Sequence, residues 1–119
     1  MAKYRFPMPP SANKYWRMAG GRMIVSDEAR NYKVTFKMLA RCSEPRPTIL
    51  SGPVAVTIDV FRERKSSDLD NRVKIVLDSA EGVFFENDSQ VRELHAYLHE
   101  DRADPRIEIS VTSLRQNAE

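Results

Sequence analysis

Apolar and polar positions alternate along this chain in two distinct periods. Val54, Val56, Ile58 and Val60 recur at every second residue, which predicts a strand over 54–61 with one buried face. Ala29, Tyr32, Phe36, Leu39 and Ala40 recur at helical spacing, and these five predict the buried stripe of a helix ending near Cys42. Ser26 is a suitable N-cap for it, with Asp27 and Glu28 in the first turn. A second helix is expected from Asp70 to about Ala80, turning Val73, Val76, Leu77 and Ala80 inward and stopping at Gly82. Ile75 falls off that stripe. Tyr4–Phe6 reads as a short strand halted by Pro7-Met8-Pro9-Pro10, because proline donates no N–H. Tyr15–Met18 and Arg22–Val25 flank Gly20-Gly21 as a hairpin. Val91–His99 suits either period, but Ile107, Ile109 and Val111 need a partner strand, so the two segments are expected to pair as a hairpin about a turn at 101–105. The sum is an α/β fold of the α+β type, a mixed sheet packed against two main helices, in one domain over 1–119.

Composition changes this picture little. A chain of 119 residues holds one core comfortably. No apolar run is long enough for a membrane span, and the N-terminus lacks a signal-peptide pattern. The single cysteine, Cys42, excludes an internal disulfide or a multi-cysteine zinc site and fits a reducing cytoplasm. The net charge of +2 conceals an asymmetry: residues 1–50 carry ten Lys/Arg against three acids, and residues 51–119 carry nine against fourteen. A basic half beside an acidic half suits an enzyme that holds a metal ion and a polyanion together.

The chemistry concentrates in Ser67-Asp68-Leu69-Asp70-Asn71-Arg72-Val73-Lys74. In extended backbone Asp68 and Asp70 project to one side and can converge on one ion. In a helix Lys74 lies one turn beyond Asp70 on the same face, and Asp78 one turn further. Carboxylate oxygens are hard ligands suited to Mg²⁺, and a neighbouring lysine places positive charge where a phosphate sits. Asp88 is the candidate further carboxylate, in a loop that Phe84 and Phe85 would anchor. Asp70 also has a plain structural reading as a helix cap, and Asn87-Asp88-Ser89 as a turn.

These residues resemble the RusA family of Holliday-junction resolvases. The resemblance rests on Asp68-Leu69-Asp70-Asn71-x-x-Lys74, on Asp78 and on Phe84-x-x-x-Asp88-x-Gln90-Val91, with weaker support from Pro9-Pro10-Ser11-Ala12-Asn13 and Ser26. It covers essentially the whole chain. Many members carry Asp-Asp where Asn87-Asp88 stands here, so the ligand role passes to Asp88 only. The resemblance implies a cytoplasmic bacterial or phage homodimer that binds four-way junctions and nicks two symmetry-related strands with Mg²⁺ or Mn²⁺. It makes Asp68, Asp70 and Asp88 the metal-binding catalytic carboxylates and Lys74 the catalytic lysine. Branched DNA is the implied partner, with no membrane and no small-molecule substrate. A non-catalytic binder of branched DNA, or a nuclease for flaps or forks, is the alternative.

DNA contacts are expected from three groups. Arg30, Lys33, Lys37 and Arg41 share one strip of the first helix without interspersed acids. Lys14, Tyr15, Trp16, Arg17 and Arg22 mix basic and aromatic groups on the hairpin, suited to phosphates and unpaired bases. Arg62, Arg64 and Lys65 directly precede the acidic motif. His95 and His99 share a strand face, and no function is assigned to them.

Overall fold

The computed structural model describes residues 2–10, 16–63 and 69–114, leaving aside the side chains at 16, 17, 25 and 69–71. In chain order the elements are β1 (Tyr4–Phe6), β2 (Trp16–Ala19), β3 (Arg22–Val25), α1 (Asp27–Arg41), β4 (Val54–Arg62), α2 (Leu69–Ala80), a 3₁₀ turn (Asp88–Gln90), β5 (Val91–Glu100) and β6 (Arg106–Ser113). Strands β1, β6, β4 and β5 form one sheet in that order, and β2–β3 is a separate hairpin. β5 runs parallel to β4, whereas β6 is antiparallel to both β4 and β1. The sheet is therefore mixed, and α2 is the crossover that two parallel neighbours require.

The predicted β5–β6 hairpin is corrected by this order. Both segments are strands, but β4 lies between them. The connection at 101–105 crosses the end of β4, where the Asp101 N–H donates to the Arg62 carbonyl at 2.9 Å. Arg106 braces the crossing, donating to Asp101 at 2.8 Å and lying 3.8 Å above the centre of the Phe61 ring. That contact holds the Asp101 carboxyl below the usual carboxylate range. The reason for the order is burial: β4 has its whole inner face covered and needs a neighbour on each edge, and Ile107 and Ile109 meet Val60 and Ile58. Period-two patterning identifies strands without saying which edges they share.

Ser26 caps α1 as expected, accepting from the Ala29 N–H at 3.2 Å. Ala29, Tyr32, Phe36 and Ala40 are buried, but Leu39, also predicted inside, is 40% exposed at the margin of the stripe. Ile75 departs the other way and is 3% exposed. α2 packs against α1 as well as the sheet, so its buried arc is wider than one stripe and takes in Ile75 and Ser79, whose hydroxyl donates to the Ile75 carbonyl. Ile75 is thus a core residue. Phe84 and Phe85 are buried, and Phe84 stands edge-on to the stacked pair Phe6–Phe36. The loop after α2 is anchored as its sequence suggested.

Tyr32 ties the proline segment to the core by donating to the Pro7 carbonyl at 2.7 Å. Burial pushes its phenol well above the ordinary tyrosine value, opposed in part by the nearby Arg72 charge. Because the folded-state value is raised, the unfolded chain releases its proton first, at about pH 10. This contribution to stability is intact below that pH and is lost as pH rises beyond it. Tyr32→Phe is expected to cost about 1 kcal/mol near neutrality and to make the alkaline decline in stability shallower, read by denaturant unfolding between pH 8 and 11. An equally steep decline in the variant would refute the assignment.

Candidate active site

α2 begins at Leu69, one residue before the predicted start. Asp70 therefore stands inside the first turn, where the exposed N–H groups of the helix favour a negative charge. Lys74 is exposed one turn on. Asp78 follows after another turn, with its carboxylate 3.2 Å from the Lys33 ammonium on α1. The next residue but one after Asp70, Arg72, turns another way. Its guanidinium donates to the Pro9 carbonyl at 3.0 Å and lies 3.7 Å from Glu63. It joins the acidic motif to the N-terminal proline segment, a link that sequence reading missed because nothing in a lone arginine names its distant partner. Asp68, Arg64, Lys65 and Lys14 lie outside the described residues.

The Asp88 loop is built as a small hydrogen-bonded frame. Asn87 caps the 3₁₀ turn by accepting from the Ser89 N–H at 2.8 Å. The Gln90 side-chain oxygen accepts from the N–H groups of Glu86 and Asn87 at 2.9 and 3.0 Å, and its amide donates to the carbonyls of Leu50 and Gly52 at 2.9 and 2.8 Å. Glu81 accepts from the Asp88 N–H at 2.9 Å. Asp88 is left exposed on a fixed backbone. Asn87 thus has a capping part that asparagine and aspartate fill equally well. Gln90 and Glu81 are positioning residues; the sequence motif includes Gln90 without giving it a role and leaves Glu81 out, although Asn87-x-x-Gln90 carries the spacing of a capping box.

One chain keeps these two regions apart. From Asp70 to Glu81 the helical rise amounts to about 16 Å. The sheet gives the same separation: Gln90 is tied to Leu50 and Gly52, just before β4, whereas Arg72 reaches Glu63, just after it. Carboxylate oxygens that share one Mg²⁺ lie within roughly 4 Å of each other. Asp70 and Asp88 of a single chain are at opposite ends of α2. Among the described residues no group of three or more His, Cys, Asp or Glu is placed to hold a metal ion.

The basic surface differs from its prediction. Acids do reach the α1 strip: Arg30 lies 3.5 Å from Asp27, and Lys33 is paired with Asp78. Lys37 and Arg41 instead line an open cleft of about 230 Å³ together with Arg46, Ile49, Gly82 and Val83. Arg46 has no sequence signature and is brought there by the loop after α1, where its side chain donates to the Arg41 carbonyl. The far wall of the cleft leads into the Asp88 loop. Arg62 is largely covered and lies 3.3 Å from Glu100, bracing the end of the sheet instead of facing outward. Arg22 is exposed on β3, and the backbones of Trp16 and Arg17 lie in β2. His99 is 2.8 Å from Asp59 and stacked on Phe61, and His95 is 3.6 Å from Glu93. Lys37→Ala is expected to lower the slope of log K against log salt for DNA binding by about 1. Lys33→Ala should lower it less, since Asp78 already serves as its counter-charge. Equal slopes for the two variants would take the cleft out of the DNA path.

An α+β domain with an acid and a lysine at a helix head, an acidic loop and a cationic cleft has the equipment for phosphodiester chemistry. Comparison with known proteins specifies it. Residues 7–112 match the family model described as Endodeoxyribonuclease RusA. The chain is also 31% identical, over 120 residues, to the crossover junction endodeoxyribonuclease rusA of Enterobacteria phage HK97, an alignment covering 96% of this chain and 98% of the phage protein. The chain belongs to the RusA endodeoxyribonuclease family. No helix among the described residues is long and apolar enough to cross a membrane.

Proposed function

We propose that this protein is a Mg²⁺-dependent, structure-selective endodeoxyribonuclease that resolves four-way DNA junctions by paired, symmetric nicks. The observation that carries the reading is the Asp68-Leu69-Asp70-Asn71-x-x-Lys74 motif leading into α2, within a chain that matches the RusA family from residue 7 to residue 112. The relative from phage HK97 bears a crossover-junction name, which supports the four-way junction as substrate. Asp68 and Asp70 are the residues that would hold the ion at the head of α2, with Asp88 supplied by the second copy of a homodimer, because within one chain Asp88 stands at the far end of that helix. Their donors are all hard carboxylate oxygens, a set that fits Mg²⁺ and admits Mn²⁺. When bound, such an ion supplies Lewis-acid polarisation of the phosphate and lowers the pKa of water. Lys74, one turn beyond Asp70, offsets the charge that builds on the phosphate during in-line attack. Lys37, Arg41 and Arg46 hold the flanking backbone by its phosphates, positioning the strand without reading its bases.

Cleavage of a synthetic four-way junction, beside linear duplex and a flap, tests this reading. Symmetric nicks on the junction, lost with chelator and restored by Mg²⁺ or Mn²⁺, are the expected result. Tight binding with no cleavage in either metal would replace the nuclease with a binder of branched DNA. Cleavage of flaps or forks in place of junctions would keep the chemistry and change the substrate.

A further inference from the structure

The β2–β3 hairpin stands apart from the four-stranded sheet. Its register sets Met18 directly against Met23, so the two side chains share one face near the tip. Met18 is 64% and Met23 58% exposed. Single apolar side chains on a surface need no explanation, but these two adjoin across the strands. Ile24, on the opposite face, is half-buried, so the methionine face is the one turned away from the body. Gly20 and Gly21, at φ 58° and 78°, close the turn, and open space surrounds both. The hairpin therefore ends in bare backbone with a pair of thioethers directly behind it.

Its roots fix where it projects. β3 passes into α1 through the Ser26 cap. Before the hairpin, Tyr32 holds Pro7 and Arg72 holds Pro9. Arg72 lies in the opening turn of α2, two residues beyond Asp70. The hairpin thus leaves the fold at the end that carries Asp70 and Lys74. Charge says what it meets. From Phe6 to Ser26 the chain carries Lys14, Arg17 and Arg22 and no acid, and Arg22 is exposed beside the tip. A cationic stretch with an apolar tip complements DNA, whose phosphates lie outside and whose stacked bases lie within.

We propose that the Met18–Met23 tip is an apolar wedge that enters between the bases at the branch point of the DNA and holds them unstacked, with Arg22 on an adjoining phosphate. Unbranched thioethers mould to irregular gaps and pack favourably against aromatic rings. Apolar side chains pushed into a base step part it and kink the duplex. Unstacking costs least where pairing is already interrupted, so a wedge favours a branch point over continuous duplex. Selectivity for branched DNA then resides in residues that take no part in the chemistry but stand beside the head of α2. The wedge rests on the reading of the substrate as branched DNA, and not on its cleavage.

A synthetic four-way junction with 2-aminopurine beside its branch point tests the wedge, bound in chelator so that no strand is cut. Wild-type protein is expected to raise the fluorescence several-fold as the base unstacks. Met18→Ser with Met23→Ser should leave it near the level of the free junction, and Met18→Leu with Met23→Leu should restore it. Both positions are exposed, so the serine variant is expected to keep the wild-type unfolding curve. In Mg²⁺ it should nick a fully paired junction about tenfold more slowly, yet match the wild type on a junction whose central pairs are mismatched. No fluorescence rise with the wild-type protein overturns the wedge, whatever the variants do. So does an unchanged rise with the serine variant, or a change in sedimentation of the free variant, which would assign the pair to a protein contact. Equal loss of nicking on both junctions overturns it as well, because such a hairpin only holds the DNA. A wild-type protein that unstacks the branch point but cuts nothing refutes the proposed nuclease and sustains the wedge.

Discussion

Asp70→Asn is expected to lower junction nicking by roughly 10²–10³-fold or more, the scale on which loss of one preorganised electrostatic partner is felt, while junction affinity stays level or rises slightly. The substitution keeps size and shape and removes a charge that repels phosphate, so weaker binding has no electrostatic cause. Folding should suffer little, because an aspartate in the first turn of a helix contributes only about 0.3–1 kcal/mol through the helix dipole. Cleavage and gel-shift measurements on one protein preparation, with an unfolding curve, separate the three quantities. A variant that loses binding and stability together would make Asp70 a structural residue of α2 and remove it from the chemistry.

Gln90→Ala is expected to have the largest effect on stability outside the apolar core. The Gln90 side chain makes four hydrogen bonds to backbone groups, on Glu86, Asn87, Leu50 and Gly52. At about 1 kcal/mol net for each bond, the loss is on the order of 2–4 kcal/mol. Gln90→Glu retains the acceptor but not the donor, so it should fall between the wild type and alanine. Activity should drop in the same order even below the unfolding temperature, because the frame that orients Asp88 is loosened, while junction affinity changes little. An unchanged melting temperature would show that Phe84, Phe85, Asn87 and Glu81 hold the Asp88 loop without Gln90.

Much of the local structure was legible before any coordinates. The N-cap at Ser26, the Gly20-Gly21 hairpin, the inner face of β4 and the aromatic anchor at Phe84-Phe85 each depend on a short stretch of chain. The acidic motif was legible for the same reason: Asp70 and Lys74 are related by one helical turn, and a turn is a local object. The family was legible too, since its motifs are read along the chain. What failed were inferences about neighbours. Ile75 was placed outside because a single stripe was assumed, and α1 covers a second side of α2. The β5–β6 pair was drawn as a hairpin because the two strands are consecutive, whereas β4 had the greater apolar face to cover and took a place between them.

The sequence by itself determined most of the elements, the placing of Asp70 and Lys74 one helical turn apart and the family, because all of these are written in residue type and short spacing. Tertiary structure alone decided that Arg46 joins Lys37 and Arg41 in one cleft, that Lys33 is paired with Asp78, and that Gln90 fixes the Asp88 loop. It also decided that Asp70 and Asp88 stand at opposite ends of α2. Those relations arise when the apolar faces of β4, α1 and α2 close on one another, and that burial sets the distance between residues far apart in the chain.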